Sequence, residues 1–357
     1  MLNNCIKPGQ VWLDTDGKRI HAHGGSIITV DDTFYWYGEN KEKTLPDDDI
    51  WHWGIRCYAS KDLYNWEDKG LIIPPEPDDI ESPLHPSKGV DRPHILYNKK
   101  TKKYVCWLKV MGKQGRQTET VLTADNILGP YTIVNRELMP LGMNGGDFDL
   151  VAHSDGKAYY YFERVHKEII CADLTDDYTD VTGYYSTHFP QPFPPFVREA
   201  PAHFYRKGKH YMFTSGTTGY HPNPTEVAVA KTYHGPWEVL GNPHRNDPSR
   251  TSFNSQISSV FKHPYKKDLY IALADRWITD LPARSGGLFE TGEQYQKTAD
   301  WYESLFNPDK EKPSGENQFP DKKVNTSIAD YVWLPVKFDG DIPYLEWYDQ
   351  WRIEDFE

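Results

Sequence analysis

The feature that most constrains the fold of this chain is a cluster of aromatic and aliphatic residues that recurs five times, each time after a short polar turn. The clusters are Phe34–Tyr37, Tyr104–Trp107, Tyr159–Phe162, Tyr211–Phe213 and Leu269–Ile271. Successive clusters are 52 to 69 residues apart, measured between Tyr35, Tyr104, Tyr159, Tyr211 and Tyr270. That spacing is close to the length of a four-stranded sheet with its loops. The repeat therefore predicts an all-β fold, a five-bladed β-propeller.

The turns between the strand-like segments support this prediction. Asp155-Gly156 and Lys207-Gly208 are typical of β-hairpins, so each repeat is expected to open with a hairpin. A helical fold is excluded because 27 prolines and 26 glycines leave almost no segment with uninterrupted helical periodicity.

The repeat runs from about residue 20 to about residue 340 without a linker-like break, which predicts one catalytic domain over residues 1–357. Residues 1–19 form a lead-in that we expect to help close the ring. Residues 278–329 interrupt the fifth repeat and contain Gly286-Gly287 and Pro313–Gly315. They are predicted to form a long loop insertion over one face of the disc, where binding sites usually form.

The composition narrows the class of partner. A formal net charge of −12 argues against nucleic acid, because phosphate binding needs a basic face. Aromatic residues make up 14% of the chain, and aromatic rings are also the surfaces on which sugar rings stack. The four cysteines show no spacing typical of a disulfide framework or a metal site.

No segment has the length and apolarity of a membrane span, and the first residues show no apolar signal-peptide region. The sequence therefore predicts a cytoplasmic protein without a membrane partner. A chain from which a signal peptide had been removed would instead be secreted or periplasmic.

Polar residues at the starts of the repeats are the candidates for chemistry, because the innermost strands of a propeller converge on a central channel. These residues are Asp91, Arg92, Asp147, Glu199 and Gln256. Carboxylates that face each other across a sugar-sized funnel are the groups that glycoside hydrolysis requires. Alternatively, the carboxylates pair with Arg92, Arg198 and Arg276 and hold the blades together.

Several motifs together resemble glycoside hydrolase family 43, most closely its exo-β-1,3-galactanase branch. The motifs are His21–Gly25, Tyr35–Asn40, Asp91–Pro93, Glu199–Pro201, Ser255-Gln256 and Asp275–Trp277, and the resemblance covers about residues 12–340. It implies a five-bladed propeller and an inverting exo-enzyme.

The resemblance also implies roles for individual residues. Glu199 matches the general acid, and Asp147 matches the carboxylate that orients the acid and raises its pKa. Most of the family has a general-base Asp where this chain has Gly24-Gly25. The galactanase branch lacks that base too and uses a glutamine, here Gln256, which acts through its imidic tautomer or positions the water.

Substrate binding is assigned to Asp91, Arg92, Glu39, Trp277 and Arg276. Trp53 and Tyr220 are further candidates for a stacking wall. Asp91 stands where the galactanase branch has a glutamate that holds an axial hydroxyl group, and it is one methylene shorter.

The expected activity is release of terminal β-1,3-linked galactose from arabinogalactan or galactan side chains. The shorter Asp91 leaves room for an α-L-arabinofuranosidase or a β-xylosidase, and the missing base leaves room for a non-catalytic carbohydrate-binding propeller. The expected partner is an oligosaccharide or polysaccharide.

No cofactor and no catalytic metal are expected. A structural calcium ion in the central channel stays open as an alternative. His21 and His23 are one residue apart on a strand and point to opposite faces, so the sequence does not predict a zinc site there.

Overall fold

The computed structural model describes residues 2–112, 115–279, 292–312 and 324–357. Its strands form five antiparallel sheets that surround a central axis, which confirms the predicted five-bladed β-propeller. The strands of blade one are His23–Val30 (β1), Thr33–Glu39 (β2), Ile55–Ser60 (β3) and Glu67–Ile73 (β4). Those of blade two are Gly89–Asn98 (β5), Lys103–Met111 (β6), Gln117–Ala124 (β7) and Thr132–Leu138 (β8).

The next two blades repeat the same meander. Blade three consists of Gly145–Ala152 (β9), Ala158–Arg164 (β10), Glu168–Leu174 (β11) and Val181–His188 (β12). Blade four consists of Arg198–Arg206 (β13), Lys209–Gly216 (β14), Glu226–Ala230 (β15) and Glu238–Gly241 (β16). Blade five is built from Gln256–Lys262 (β17), Tyr270–Arg276 (β18), Asp330–Tyr331 (β19), Leu334–Asp339 (β20) and Ile342–Tyr344 (β21).

The recurring aromatic clusters form the second strand of each blade, and their side chains fill the spaces between neighbouring sheets. Trp36, Trp107, Tyr160, Tyr211 and Ile271 are all buried at these positions. Because sheets packed face to face must bury large apolar surfaces, the clusters recur once per blade.

Blade five meets blade one at a layer of tryptophans and tyrosines. Trp12 from the lead-in contacts Trp333, with ring centroids 4.9 Å apart. Ile6 pairs with Trp351 near the other end of the chain. The lead-in therefore packs across the junction where the ring closes.

The prediction for residues 278–329 needs a correction, because the described part of this insertion is not a loop throughout. Gly292–Phe306 forms a 15-residue α-helix, α1. Tyr295, Ala299, Tyr302 and Phe306 recur at helical spacing in a segment without proline. Gly286-Gly287 and Pro313–Gly315 lie outside the described residues. Within the part of the chain that the structure describes, no helix has both the length and the apolarity needed to cross a membrane.

Candidate active site

A cavity of about 330 Å³ opens at one end of the central funnel, and all five blades contribute to its wall. Its lining residues are Glu39, Trp51, Asp91, Arg92, Lys109, Met111, Gln117, Asp147, Glu163, His166, Glu199, Thr217, Gly219, Tyr220, Gln256, Trp277, Tyr302 and Phe306. The structure thus brings together every predicted site residue except Arg276 and the stacking candidate Trp53.

Irregularities at the starts of the inner strands turn these side chains into the cavity. Pairing shifts register after His23 in β1, after Asp91 in β5 and after Glu199 in β13. The next residue has a positive φ in each case, 64° at Gly24, 53° at Arg92 and 49° at Ala200. A β-bulge of this kind bends a strand and re-aims its side chains, so the bulges of blades two and four direct Asp91, Arg92 and Glu199 into the cavity.

Arg92 organises the centre of the cavity. Its Nη2 atom lies 2.8 Å from Oδ2 of Asp147 and donates a hydrogen bond of 2.6 Å to Oε1 of Gln256. The amide nitrogen of Gln256 donates to Oε1 of Glu199 at 3.2 Å and to Oγ of Ser215 at 2.8 Å. Blades two to five are therefore linked by hydrogen bonds around Glu199.

Two buried lysines that the sequence analysis did not single out balance the carboxylates. Lys109 Nζ lies 2.6 Å from Asp147 Oδ1 and 3.3 Å from Asp91 Oδ2. Lys41 Nζ lies 2.9 Å from Glu39 Oε2 and 3.8 Å from Asp91 Oδ1. Asp91 also accepts a hydrogen bond of 2.8 Å from the indole of Trp51. Both oxygens of Asp91 are thus engaged by protein groups.

The environment separates the protonation states of Glu199 and Asp147. Burial raises the pKa of Glu199 well above its usual value, and the negative charges of Asp147 and Glu163 raise it further. Burial acts on Asp147 in the same direction, but Arg92 and Lys109 outweigh it and lower the pKa of Asp147 below its usual value. The surroundings therefore favour the protonated form of Glu199 and the ionised form of Asp147, the combination that acid catalysis needs.

Replacement of Asp147 by Asn is expected to move the alkaline limb of the pH–rate profile to lower pH. Because a general acid must be protonated to act, the rate falls as pH rises through the pKa of Glu199. Removing the charge of Asp147, and leaving Lys109 and Arg92 without their counter-charge, lowers that pKa. The measurement is kcat/KM against pH for both proteins, and an alkaline limb that stays in place would contradict the pairing of the two carboxyl groups.

Glu163 is a second buried acid that was not predicted. It lies on β10, accepts a hydrogen bond of 2.7 Å from the backbone N–H of His166, and is 4% exposed. Burial raises its pKa to about 7. A side chain at Gly146 would lie 2.2 Å from Glu163 Oε2, so the glycine before Asp147 leaves the space that this carboxyl group occupies.

No carboxylate enters the cavity from the bulge of blade one. A Cβ atom at Gly24 would lie 2.4 Å from Glu39 Oε1, and one at Gly25 would lie 1.9 Å from the carbonyl oxygen of Tyr37. Glu39 itself occupies this corner, where it accepts a hydrogen bond of 3.0 Å from the backbone N–H of Arg92. Burial and the charge of Asp91 raise its pKa, although Lys41 opposes the shift.

The aromatic wall and the position of Arg276 partly differ from prediction. The aromatic wall consists of three side chains that line the cavity, with the ring of Tyr220 between those of Trp277 and Trp51. The centroid of the Tyr220 ring lies 5.1 Å from that of Trp277 and 6.1 Å from that of Trp51. Trp53 does not line the cavity. The predicted binding role of Arg276 needs correction, because its guanidinium donates to the carbonyl oxygens of Asn254 and Phe253 and it does not line the cavity.

The two histidines at the start of blade one have separate surroundings. His23 Nδ1 lies 2.9 Å from Asp275 Oδ1, and the backbone N–H of Gly24 donates to the other oxygen of that carboxylate. Burial lowers the pKa of His21 to about 3. Over the described residues, no group of three or more His, Cys, Asp or Glu side chains is arranged to hold a metal ion.

Comparisons with known proteins agree on one family. The model of the family described as glycosyl hydrolases family 43 matches residues 20–285. A family 43 β-1,3-galactosidase structure is 28% identical with a TM-score of 0.77, and the alignment covers 99% of this chain and 65% of that one. The chain thus spans slightly less than two thirds of that protein.

Two further solved structures are similar over nearly all of this chain. A second family 43 β-1,3-galactosidase, solved with galactodeoxynojirimycin, is 26% identical with a TM-score of 0.76, and the alignment covers 98% of this chain and 100% of that one. An exo-β-1,3-galactanase from Clostridium thermocellum is 25% identical with a TM-score of 0.71 and coverages of 98% and 66%. A search of curated protein sequences found no match.

Proposed function

The chain belongs to glycosyl hydrolase family 43 and is a glycoside hydrolase, and we propose that it is an inverting exo-enzyme that releases terminal β-1,3-linked galactose from galactan or arabinogalactan side chains. The observation that carries the proposal is the position of Glu199 at the wall of the cavity, where burial and the charges of Asp147 and Glu163 raise its pKa while Arg92 and Lys109 lower that of Asp147. The β-1,3-galactosidase and galactanase structures described above support the choice of sugar and linkage.

In the proposed reaction, Glu199 donates its proton to the glycosidic oxygen as the bond to the anomeric carbon breaks. The negative charge of Asp147 favours the protonated acid before the step, and the positive charges of Arg92 and Lys109 stabilise the carboxylate that forms. Water attacks the opposite face of the sugar and releases a proton to the solvent in the open cavity, and the anomeric configuration inverts.

Gln256 is the proposed residue on the side of the water. Its amide is fixed between Arg92, Ser215 and Glu199, so it has one orientation in the cavity. We assign it a positioning role, because an amide oxygen that accepts from a guanidinium is a weaker proton acceptor than a free amide.

The cavity also favours a neutral sugar. Lys41, Lys109 and Arg92 each pair with at least one carboxylate, so the described residues leave no cation reserved for a uronic acid. Lys109 and Asp91 line the cavity and can exchange hydrogen bonds with hydroxyl groups instead. Glu39, Trp277 and Arg92 are assigned to the same sugar.

The shorter side chain at position 91 supports a second candidate function. Since Asp91 is held by Trp51 and Lys109, its carboxylate stays back from the centre of the cavity, which favours a different hydroxyl pattern such as that of arabinofuranose or xylose.

A substrate panel tests these alternatives. β-1,3-Galactobiose, nitrophenyl β-galactoside, nitrophenyl α-L-arabinofuranoside and nitrophenyl β-xyloside are compared by kcat/KM, and the first sugar anomer released from galactobiose is identified by NMR. We expect the galactosides to be preferred and α-galactose to appear first. Preference for the arabinofuranoside or the xyloside would overturn the sugar assignment, β-galactose as first product would overturn inversion, and binding without turnover would indicate a carbohydrate-binding propeller.

A further inference from the structure

The cavity has a closed end and an open end. Glu39 is 1% exposed and Arg92 is 4% exposed, whereas Phe306, which lines the same cavity, is 38% exposed. An exo-enzyme must enclose the terminal sugar and leave the rest of the chain outside. The terminal sugar therefore fits the end formed by Glu39 and Arg92, and the leaving group points toward Phe306.

Helix α1 is the element that builds this open end. It belongs to the insertion between β18 and β19 of blade five, yet its residues reach blades three and four. The ring of Phe306 contacts that of His166 edge to face, with centroids 4.8 Å apart. A Cβ atom at Gly219 would lie 3.2 Å from the hydroxyl oxygen of Tyr302, so the helix also lies close to the loop that follows β14.

The chemistry of this end suits a sugar. Phe306, Tyr302 and His166 provide aromatic surface, on which the C–H faces of a pyranose pack. Among the described residues Glu163 Oε1 is occupied by the backbone of His166, and Oε2 carries no hydrogen bond, so it can bind a hydroxyl group. Glu163, Tyr302 and Glu199 line the same cavity, and the charge of Glu199 raises the pKa of Tyr302, as that of Glu163 raises the pKa of Glu199.

We propose that Glu163, His166, Tyr302 and Phe306 form the subsite for the sugar on the leaving-group side of the scissile bond, and that α1 determines which leaving groups the enzyme accepts. This inference rests on the proposed function, because it uses Glu199 as the acid that marks the leaving-group side. The occupant is a neutral pyranose, since two carboxyl groups border the subsite.

The test is a comparison of Phe306→Ala with Leu305→Ala. Leu305 is the preceding residue of α1, is 45% exposed and does not line the cavity, so its replacement controls for damage to the helix. Both variants are assayed on β-1,3-galactobiose and on nitrophenyl β-galactoside, with galactose as a product inhibitor that needs only the closed end. Thermal unfolding of both variants confirms that they fold.

We expect Phe306→Ala to raise KM for galactobiose roughly tenfold, the loss of one aromatic contact, with kcat little changed. Leu305→Ala should leave KM unchanged, and neither variant should alter the inhibition constant of galactose more than about twofold. Tyr302→Phe, which keeps the ring, should have a smaller effect than Phe306→Ala. An unchanged KM in Phe306→Ala, or an equal change in galactose inhibition, would overturn the subsite.

The proposed function can fail separately. Wild-type protein that cleaves no β-1,3-galactobiose contradicts the proposed substrate, and the comparison is then made on xylobiose or an arabinobiose that it cleaves. There, a tenfold rise in KM confined to Phe306→Ala still supports the subsite, and equal values for the two variants overturn it. Absence of turnover on every disaccharide overturns both proposals.

Discussion

The Glu199→Gln variant is expected to lose roughly 10³-fold in kcat on β-1,3-galactobiose, because a sugar leaving group needs a proton as its bond breaks. The amide matches the carboxyl group in shape, and its oxygen can still accept the hydrogen bond from Gln256. A dinitrophenyl galactoside, whose leaving group is stable as an anion, should keep most of its rate.

The measurement is kcat on both substrates for wild type and variant. Glu238→Gln is the matched control, because this glutamate is exposed on the outer strand β16 and the same substitution there should change neither rate. Equal losses on the two substrates would show that Glu199 does not act by protonating the leaving group. If Glu199→Gln keeps its activity on both substrates, Glu199 has no catalytic role.

The fold could be predicted because one signal is repeated once per blade. Each second strand must fill the space between two sheets, so it carries large apolar residues at the same point of every repeat. The sequence analysis did not predict helix α1, because the glycines and prolines on either side of the helical segment indicated a loop. The apolar periodicity of the segment between them is short. In a helix of only 15 residues, the apolar periodicity is a weaker signal than the glycines and prolines that flank it.

The inner-strand residues of the site could also be predicted, since polar residues recur at the starts of the repeats and these starts converge on the central channel. Lys109 and Glu163 could not, because they lie on second strands at the ends of apolar runs, where a polar residue usually marks the surface. Their burial depends on residues distant in sequence, Asp147 of blade three for Lys109 of blade two and the space at Gly146 on the neighbouring strand for Glu163. Such long-range pairs leave no local spacing in the sequence.

Arg276 shows the opposite error. It lies in the same motif as Trp277, but neighbouring residues on a strand point to opposite faces. Asp275 points toward His23 at the inner side, so Arg276 points away and binds the carbonyl groups of the segment before β17. The Asp275–Trp277 motif correctly indicated that the end of β18 lies at the site. The alternation of side chains along the strand decides which residues of the motif face the cavity.

The Gln256→Ala variant is expected to lower kcat roughly 10²-fold, the range for a lost contribution to water activation. The structure restricts how Gln256 acts. Its Oε1 atom faces Arg92 at 2.6 Å, and a guanidinium only donates, so the amide orientation is fixed. In the imidic tautomer the oxygen would carry a proton and confront that donor. We therefore expect Gln256 to hold the water in place while its own amide is fixed by hydrogen bonds to Arg92, Ser215 and Glu199.

Several measurements distinguish this role from that of Glu199. The loss in Gln256→Ala should be similar for galactobiose and for the dinitrophenyl galactoside, because the defect lies on the water side of the sugar. Azide, a nucleophile that needs no base, should restore turnover in Gln256→Ala and leave Glu199→Gln on galactobiose unrescued. Ser215→Ala, which removes one partner of the amide, should have a smaller effect in the same direction.

Asp91 is the competing residue for water activation, because it is the other carboxylate that the cavity keeps ionised. Burial would raise its pKa, but Lys109 and Lys41 lower it below the usual value. An ionised carboxylate can accept a proton, whereas an amide bound to Arg92 cannot do so readily. If Gln256→Ala keeps near-normal turnover and Asp91→Asn is inactive on both substrates, then Asp91 activates the water, and the galactanase-like assignment of Gln256 is wrong.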